Sequence, residues 1–208
     1  MSRLVLASSS PRRRQLLEML GITVDVHPAH VPEVRQPGEA PRDYALRLAQ
    51  DKACAVAGEL VLAADTIVVL GDDILEKPRD AEDALSMLLR LQGRTHEVVT
   101  AVALRADSTV FEAVDVTAVT FRPAREGFLR AYVKTGEPMD KAGAYGIQGF
   151  GAALVERIDG DFFGVMGLPV RLVLDLLAEA GRPYRFEREE RGKDSGLRGA
   201  ESERRKEE

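Results

Sequence analysis

The chain has 208 residues, of which 45% are hydrophobic and 30% charged, and its formal net charge is −5. These values are typical of a globular protein with one large or two small domains, and the negative charge argues against a long nucleic-acid-binding face. No apolar run approaches the roughly 20 residues of a membrane span. The apolar block at residues 4–7 is too short for a signal peptide, and the single cysteine, Cys54, fits a reducing cytoplasm.

The N-terminal segment predicts a short strand at residues 4–7 that leads into a helix. Ser10 is a good N-cap, Pro11 suits the first helical position, and Gly21 is placed to end the helix. Three arginines occupy the first turn, where the helix dipole disfavours cations. An anion at the helix N-terminus would stabilise them, and the alternative is a solvated basic turn on the surface. We favour the anion site because serines and a strand-to-helix junction accompany the arginines.

Residues 22–26 alternate like a second strand, and a loop with Glu33 separates them from a helix predicted at 41–58. The orientation of Lys52 on this helix is ambiguous. One apolar line places Lys52 among the buried positions, where it would need an anionic partner. A neighbouring line leaves it at the edge of the buried stripe, with its amine in water.

The run Leu60–Leu70 predicts a buried central strand, because every residue except Asp65 and Thr66 is apolar. Removing an ionised carboxylate from water costs several kcal/mol unless a cation or hydrogen-bond donors receive it. Asp65 is therefore either a functional acid at a break in the middle of the strand, or part of an exposed turn after a strand that ends at Ala64.

The remaining elements follow from turns and caps. A hairpin turn at residues 71–73 leads into a return strand, Asp80 caps a helix through Leu91, and two long strands cover 96–104 and 110–121. Later segments are a helix at 123–135, a hairpin of strands at 153–158 and 162–166, and a last helix from Pro169 through Ala180. This order predicts an α/β fold with a mixed twisted sheet and helices on both faces. Residues 187–208 are charge-dense, and we expect them to be a disordered tail.

Residues 136–151 form a glycine-rich stretch in which backbone amides can approach a ligand closely, while Lys141 and Gln148 supply side-chain donors. The spacing is not that of a Walker loop or a dinucleotide fingerprint. Many cations, two acids and this stretch together predict a site for a polyphosphate with a divalent metal. The residues concerned are Ser8, Arg12, Arg13, Lys52, Lys77 and Lys141, with Glu33 and Asp65 as the acids.

Five ordered segments carry a family resemblance. They are Ser8-x-Ser10-Pro11-Arg12-Arg13, Ala64-Asp65-Thr66, Glu76-Lys77-Pro78, residues 140–149 (DKAGAYGIQG) and Val165-Met166-Gly167-Leu168-Pro169. Together they resemble the Maf family of nucleoside triphosphate pyrophosphatases, which implies a Maf/ITPase-like fold for residues 1–186. One departure from the family pattern is Asp161-Phe162-Phe163-Gly164, where the family often has small or polar residues.

The resemblance implies hydrolysis of dTTP and UTP, or of modified pyrimidine nucleotides, to the monophosphate and pyrophosphate with a divalent cation, Mg or Mn. It also implies a cytoplasmic homodimer that removes unwanted nucleotides and is linked to septum formation. Asp65 matches the proton acceptor, and Arg12, Thr66 and Gln148 match the substrate-selecting positions of the dTTP/UTP branch. The branch acting on 7-methyl-GTP differs at these three positions.

The chemistry of the residues agrees with these implied roles. Glu33 and Asp65 can hold the metal, and Lys52 and Lys77 can assist Asp65 in catalysis by neutralising charge on the phosphates. The remaining predicted phosphate-binding residues are Ser8, Arg12, Arg13 and Lys141. Asp65 and Thr66 are then expected to lie together at a break in the strand, as part of the site.

Two other functions compete with this interpretation. A haloacid-dehalogenase-like phosphatase would use Asp65 as a nucleophile but needs a second acid two residues later, where the chain has Ile67. A nucleotide-binding regulator of septation with little turnover would retain the same acid and lysines for binding alone, and it stays open.

Overall fold

A computed structural model of the chain describes residues 3–186, so the predicted tail at 187–208 lies outside the described residues. The strands are β1 (Leu4–Leu6), β2 (Val24–Val26), β3 (Leu60–Leu70), β4 (Asp73–Leu75), β5 (Thr95–Ala106), β6 (Thr109–Phe121) and β7 (Val155–Asp159). The helices are α1 (Pro11–Met19), α2 (Pro41–Ala55), α3 (Ala81–Leu91), α4 (Glu126–Val133), α5 (Phe162–Met166) and α6 (Val170–Glu179). Short 3-10 turns span Glu137–Asp140, Ala142–Ala144 and Gly149–Leu154.

The strands form one mixed seven-stranded sheet in the order β2-β1-β3-β5-β6-β7, with β4 also paired to β3. The β1 strand runs parallel to β2 and β3, while the other pairs are antiparallel. Helix α2 packs on one face, and α1, α3, α4 and α6 pack on the other. The predicted mixed α/β sheet with helices on both faces is therefore confirmed. No helix in residues 3–186 is long and apolar enough to cross a membrane.

Strand β3 is continuous through Asp65, so the expected break and the alternative exposed turn are both wrong. It pairs with β5 without interruption from Leu60 to Val69, and Asp65 lies opposite Ala101. The carboxylate stays within the strand because Lys52 of α2 donates a hydrogen bond to it. A partner on a neighbouring element therefore removes the need for a break.

The opposite edge of β3 contains a gap. Strand β1 pairs with Val61 and Leu62, and β4 pairs with Val68–Leu70. Between them, no described strand pairs with residues 63–67 on this edge, because β1 ends at Leu6 and the chain turns towards α1. Asp65 and Thr66 lie within this gap.

The predicted strand at residues 162–166 is wrong, because these residues form the short helix α5. The Asp161 carboxylate caps it by accepting hydrogen bonds from the backbone N–H groups of Phe163 and Gly164, at 2.8 and 3.2 Å. Gly167 ends it with φ of 112°, a conformation that favours glycine. An apolar run of five residues fits a strand or a helix equally well, and the cap decides between them.

Candidate functional site

The gap in the edge of β3 opens into a cavity of about 500 Å³, a size typical of small-molecule sites. Because successive side chains on a strand alternate, Asp65 projects on the α2 face of the sheet and Thr66 on the opposite face. The cavity reaches both faces around the strand edge. It is lined by every residue that the sequence singled out: Ser8, Arg12, Arg13, Glu33, Lys52, Asp65, Thr66, Lys77, Lys141 and Gln148.

On the α2 face, Lys52 joins two carboxylates. Its side chain points inward and is 11% exposed, which settles the ambiguity in the helix periodicity. Its Nζ lies 2.6 Å from Asp65 Oδ1 and 2.5 Å from Glu33 Oε1. Burial raises the pKa of Glu33, but the hydrogen bond and charge of Lys52, with the charges of Lys77 and Arg13, give a net lowering. Glu33 is therefore held in the ionised form.

A tyrosine holds a third carboxylate beside this cluster. Tyr44 of α2 is buried, and its hydroxyl donates to Glu76 Oε1 at 3.0 Å. Burial, followed by the hydrogen bond and charge of Glu76, raises the pKa of Tyr44, so the phenol keeps its proton. The next residue, Lys77, makes no hydrogen bond or ion pair with any other residue in the range 3–186, which leaves its amine free for a ligand.

On the opposite face, Arg13 of α1 cross-links three segments. Its guanidinium donates to the Gly167 carbonyl at 2.8 Å, to Ser8 Oγ at 3.0 Å and to Thr66 Oγ1 at 3.1 Å. Thr100 of β5 lies behind Thr66, with the two hydroxyl oxygens 3.0 Å apart. Arg13 thus fixes Ser8 and Thr66 against the turn that follows α5.

The rim of the cavity is closed by an ion-pair bridge. Asp140 lies 3.2 Å from Arg12 and 2.6 Å from Lys141 Nζ, which also donates to the Glu137 carbonyl at 2.5 Å. These contacts tie the first turn of α1 to the glycine-rich stretch. Gln148 is exposed at the same rim, and its side chain has no hydrogen-bond partner among residues 3–186.

The glycine-rich stretch is organised by its own protein contacts. The Glu137 carboxylate accepts from the backbone N–H groups of Phe150 and Gly151, and the N–H of Gly146 donates to the Tyr132 hydroxyl. A Cβ atom at Gly143, which has φ of 67°, would lie 2.8 Å from a methyl carbon of Val68. The amides of Gly146, Phe150 and Gly151 are therefore occupied, and Gly143 is needed for close packing against Val68.

A model of the family described as Maf-like protein matches residues 3–180. The chain belongs to the Maf family. It is 52% identical over 190 residues to the dTTP/UTP pyrophosphatase of Anaeromyxobacter dehalogenans (strain 2CP-1), covering 89% of this chain and 98% of that protein. It is 46% identical over 201 residues to the dTTP/UTP pyrophosphatase of Escherichia coli O6:K15:H31 (strain 536), covering 94% of this chain and all of that protein. Among solved structures, the Staphylococcus aureus Ham1 protein is 15% identical with a TM-score of 0.45, covering 74% of this chain and 79% of that chain.

The Maf site offers two carboxylates to a cation. Glu33 and Asp65 converge on the same Lys52 ammonium group, so their oxygens already lie around one positive charge. Within residues 3–186 there is no cluster of three or more His, Cys, Asp or Glu residues that could hold a metal alone. Mg²⁺ in nucleotide sites is commonly held by one or two carboxylates, with water and substrate phosphates completing its shell. The residues present fit such an ion.

The sequence reasoning missed Thr100, which the structure places directly behind Thr66 on the cavity wall. The side chain is completely buried, yet it bears a hydroxyl in the middle of an apolar strand. The signal was available, because Thr100 interrupts the apolar run at residues 98–104 just as Asp65 interrupts Leu60–Leu70. A buried polar side chain of this kind requires a hydrogen-bond partner.

Proposed function

We propose that this Maf protein hydrolyses dTTP and UTP to the nucleoside monophosphate and pyrophosphate with the help of a divalent cation. The observation that carries the proposal is a buried carboxylate, Asp65, on the wall of a cavity that is also lined by five cations, Arg12, Arg13, Lys52, Lys77 and Lys141. The relatives at 46% and 52% identity, both named dTTP/UTP pyrophosphatases, support the choice of substrate.

Asp65 acts as the proton acceptor in this proposal. Its Oδ1 is held by Lys52, which leaves Oδ2 to take a proton from a water molecule. As the proton leaves, the water oxygen bonds to the α-phosphorus, and the bond from this phosphorus to the bridging oxygen breaks. Pyrophosphate then departs with that oxygen. The hydrogen bond from Lys52 orients Asp65 before the proton moves.

The cations of the cavity stabilise the phosphates as charge shifts towards the pyrophosphate. We assign direct contacts to Arg12, Lys77 and Lys141, whose side chains line the cavity. Ser8 lies beside them as a further phosphate ligand. Arg13 contributes its charge from behind, because its donors already bind protein oxygens.

Glu33 and Asp65 are the residues that would hold a divalent cation, Mg or Mn. Such an ion, when bound, would polarise the phosphoryl oxygens and so favour attack on phosphorus. The affinity of these two carboxylates for the ion is expected to rise with the triphosphate present, since phosphate oxygens complete the coordination shell.

Base selection is assigned to Arg12, Thr66 and Gln148. The Gln148 amide offers both a donor and an acceptor, which can pair with the O4 and N3–H edge of uracil or thymine. A missing hydrogen bond in such a site costs about 1–3 kcal/mol, enough to discriminate between bases.

The test is a substrate panel with separate detection of pyrophosphate and orthophosphate. The protein is incubated with dTTP, UTP, CTP, ATP or GTP, with Mg²⁺ or Mn²⁺ and with a chelator as the control. We expect pyrophosphate from dTTP and UTP only when a divalent ion is present. Release of orthophosphate would overturn the reaction type, and tight binding of dTTP without turnover would favour a nucleotide-binding regulator.

We further propose that the protein acts as a cytoplasmic homodimer, as the family resemblance implies. Light scattering after size-exclusion chromatography measures the mass in solution. A mass near twice 22.8 kDa is expected, and the monomer mass would contradict the proposal.

A further inference from the structure

The Glu137 carboxylate holds one segment of the glycine-rich stretch closed. Its Oε2 accepts from the backbone N–H of Phe150 at 2.8 Å, and its Oε1 accepts from the N–H of Gly151 at 2.9 Å. Oε1 also accepts from the Tyr132 hydroxyl at 2.9 Å, and that hydroxyl accepts in turn from the N–H of Gly146 at 3.1 Å. Both ends of the segment from Gly146 to Gly151 are therefore tied to one carboxylate, directly or through Tyr132.

The packing of this segment, the 146–151 loop, shows how closely its ends approach. A Cβ atom at Gly151 would collide with the backbone carbonyl oxygen of Gly146. A Cβ atom at Gly149, which has φ of 71°, would lie 2.5 Å from Glu137 Oε2. The loop can close around the carboxylate because glycine stands at both positions.

Gln148 lies midway along the 146–151 loop, at the position that precedes the 3-10 turn Gly149–Leu154. A side-chain oxygen at such a position often accepts from the first N–H groups of the turn. Within residues 3–186 the Gln148 side chain makes no such bond, and the Glu137 carboxylate accepts from these groups instead. The exposed Gln148 amide is thereby left available to a ligand in the cavity.

The backbone of Glu137 connects this loop to the phosphate side of the cavity. Its carbonyl oxygen accepts from Lys141 Nζ at 2.5 Å, while its side chain holds the 146–151 loop. One residue therefore contacts the two parts of the stretch to which phosphate binding and base selection are assigned. Glu137 is not among the residues that line the cavity, so it acts on a nucleotide only through these neighbours.

We propose that Glu137 is a positioning residue for base selection, which caps the 146–151 loop in place of Gln148 and so holds the Gln148 amide against the N3–H group of uracil and thymine. The inference rests on the proposed dTTP and UTP hydrolysis and deepens it by naming the group that fixes its base-reading residue. On an untethered loop, the Gln148 amide would spend part of its time out of reach of the base. The closed loop removes that freedom before the nucleotide binds.

Glu137→Gln breaks these contacts with the least change of shape. A carboxylate only accepts hydrogen bonds, whereas the nitrogen of a primary amide only donates them. In one orientation of the new amide its NH2 group faces the N–H of Phe150, and in the other it faces the N–H of Gly151. At least one contact is therefore lost, while the carbonyl that binds Lys141 is kept.

The test measures kcat/KM for UTP and for N3-methyl-UTP, in which a methyl group replaces the proton that pairs with Gln148. The wild-type protein should prefer UTP, and Gln148→Ala should reduce the UTP:N3-methyl-UTP ratio about tenfold. Glu137→Gln should reduce it about fivefold. Inhibition by pyrophosphate alone should stay as in the wild type, because Lys141 keeps its protein contacts. An unchanged ratio in Glu137→Gln would overturn the proposal.

The double variant Glu137→Gln/Gln148→Ala distinguishes positioning from general damage. If Glu137 acts through Gln148, the double variant should have the same ratio as Gln148→Ala alone. Independent effects would multiply to about fiftyfold, and that result would overturn the proposal. If Glu137→Gln does not fold, Tyr132→Phe replaces it, because it removes only the hydroxyl between Glu137 and Gly146. The same dependence on Gln148 is expected there, and an unchanged ratio would again contradict the positioning role.

Glu39→Gln is the matched control. The Glu39 carboxylate also accepts from a backbone N–H of its own loop, that of Gln36 at 2.9 Å, and it does not line the cavity. The same change of side chain there should leave the UTP:N3-methyl-UTP ratio unchanged. An equal fall of the ratio in Glu39→Gln and Glu137→Gln would show a structural effect only and would overturn the proposal.

Equilibrium binding of the same two nucleotides separates this inference from the proposed activity. If the wild-type protein releases no pyrophosphate but binds UTP more tightly than N3-methyl-UTP, and Glu137→Gln narrows that difference, the activity fails and the positioning role stands. If the wild-type protein treats the two nucleotides alike in turnover and in binding, the positioning role is overturned, whether or not pyrophosphate is released. This last result needs no variant.

Discussion

Buried polar side chains on the two faces of β3 are stabilised by different kinds of partners. On the α2 face, the charges of Lys52, Asp65 and Glu33 are brought within hydrogen-bond distance of one another. On the opposite face, the Thr100 hydroxyl donates to Thr66 and to the backbone carbonyl of Gly164, and Thr66 also accepts from the guanidinium of Arg13. The first arrangement pairs buried charges, and the second is built mainly from neutral hydroxyl groups.

This difference predicts that substitutions on the two faces of β3 will have different effects on the protein. Removing one member of a buried ion pair leaves a charge without a partner, which is among the most destabilising changes in a protein. Removing one hydroxyl from a neutral network costs about 1 kcal/mol and redirects the remaining protons. Changes on the α2 face should therefore affect turnover and folding, whereas changes on the other face should affect the choice of base.

Asp65→Asn is the substitution with the largest expected effect on turnover. Asparagine keeps the shape of the side chain but cannot take a proton from water, so kcat should fall by about 10²- to 10⁴-fold. Lys52 keeps its contact with Glu33, so the fold should remain. Pyrophosphate release and circular dichroism measure the two effects. Asp25→Asn on β2, which does not line the cavity, serves as the control, and retained turnover in Asp65→Asn would exclude Asp65 as the proton acceptor.

Lys52→Met should have the largest effect on folding. Methionine fills the space but leaves Asp65 buried without a cation, and the free energy of unfolding should fall by about 3 kcal/mol. Urea denaturation measures this change, with Lys134→Met, at the exposed position directly after α4, as the control. Adding Asp65→Asn to Lys52→Met should recover part of the loss, because both charges are then absent. A Lys52→Met variant as stable as the wild type would show that water already solvates Asp65.

The contrast between the faces also shows what the sequence can predict. The apolar run of β3, the Asp80 cap of α3 and the turn glycines are local signals, and the structure agrees with each of them. An acid inside an apolar run singled out Asp65 as a candidate, and the structure places it on the cavity wall. The same rule would have found Thr100 on β5.

The pairing of strands that are distant in sequence could not be predicted from the local sequence pattern. The gap in the β3 edge exists because β1 and β4, which are far apart in sequence, pair with different ends of one strand. Lys52 turns inward because Asp65 lies opposite, and helix periodicity allowed either orientation. Helix α5 was missed because its short apolar run fits a strand equally well, and the cap at Asp161 favours the helix.

His96 extends the comparison to a buried group with no charged partner. It lies on β5 on the same face as Thr100, its Nε2 is 2.8 Å from the Tyr145 hydroxyl, and its Nδ1 has no hydrogen-bond partner in the described part of the chain. Burial lowers the pKa of His96 to about 4. The folded protein therefore excludes the proton that the unfolded chain binds below about pH 6.5.

The stability attributable to neutral His96 should be complete above pH 6.5 and should be lost as the pH falls towards 4. The loss over that window is on the order of 3 kcal/mol, measured as the free energy of unfolding in urea at several pH values. His96→Phe should flatten the profile in this range, apart from a constant offset from the lost Tyr145 contact. His30→Gln, at an exposed loop position, should keep the wild-type slope. Equal slopes in His96→Phe and the wild type would contradict the buried neutral imidazole.

Gln148→Glu is the smallest change proposed, and it tests whether base reading extends from Thr66 to the rim of the cavity. Glutamate keeps an acceptor but loses the amide donor that pairs with O4, so kcat/KM for dTTP and UTP should fall about tenfold. CTP should lose less, because its 4-amino group can donate to the new carboxylate. Gln36→Glu is the control for the added negative charge, because Gln36 does not line the cavity. If Gln148→Glu lowers the rates for all bases equally, repulsion between the new carboxylate and the triphosphate explains the loss. Base selection is then confined to the face of β3 from which Thr66 projects.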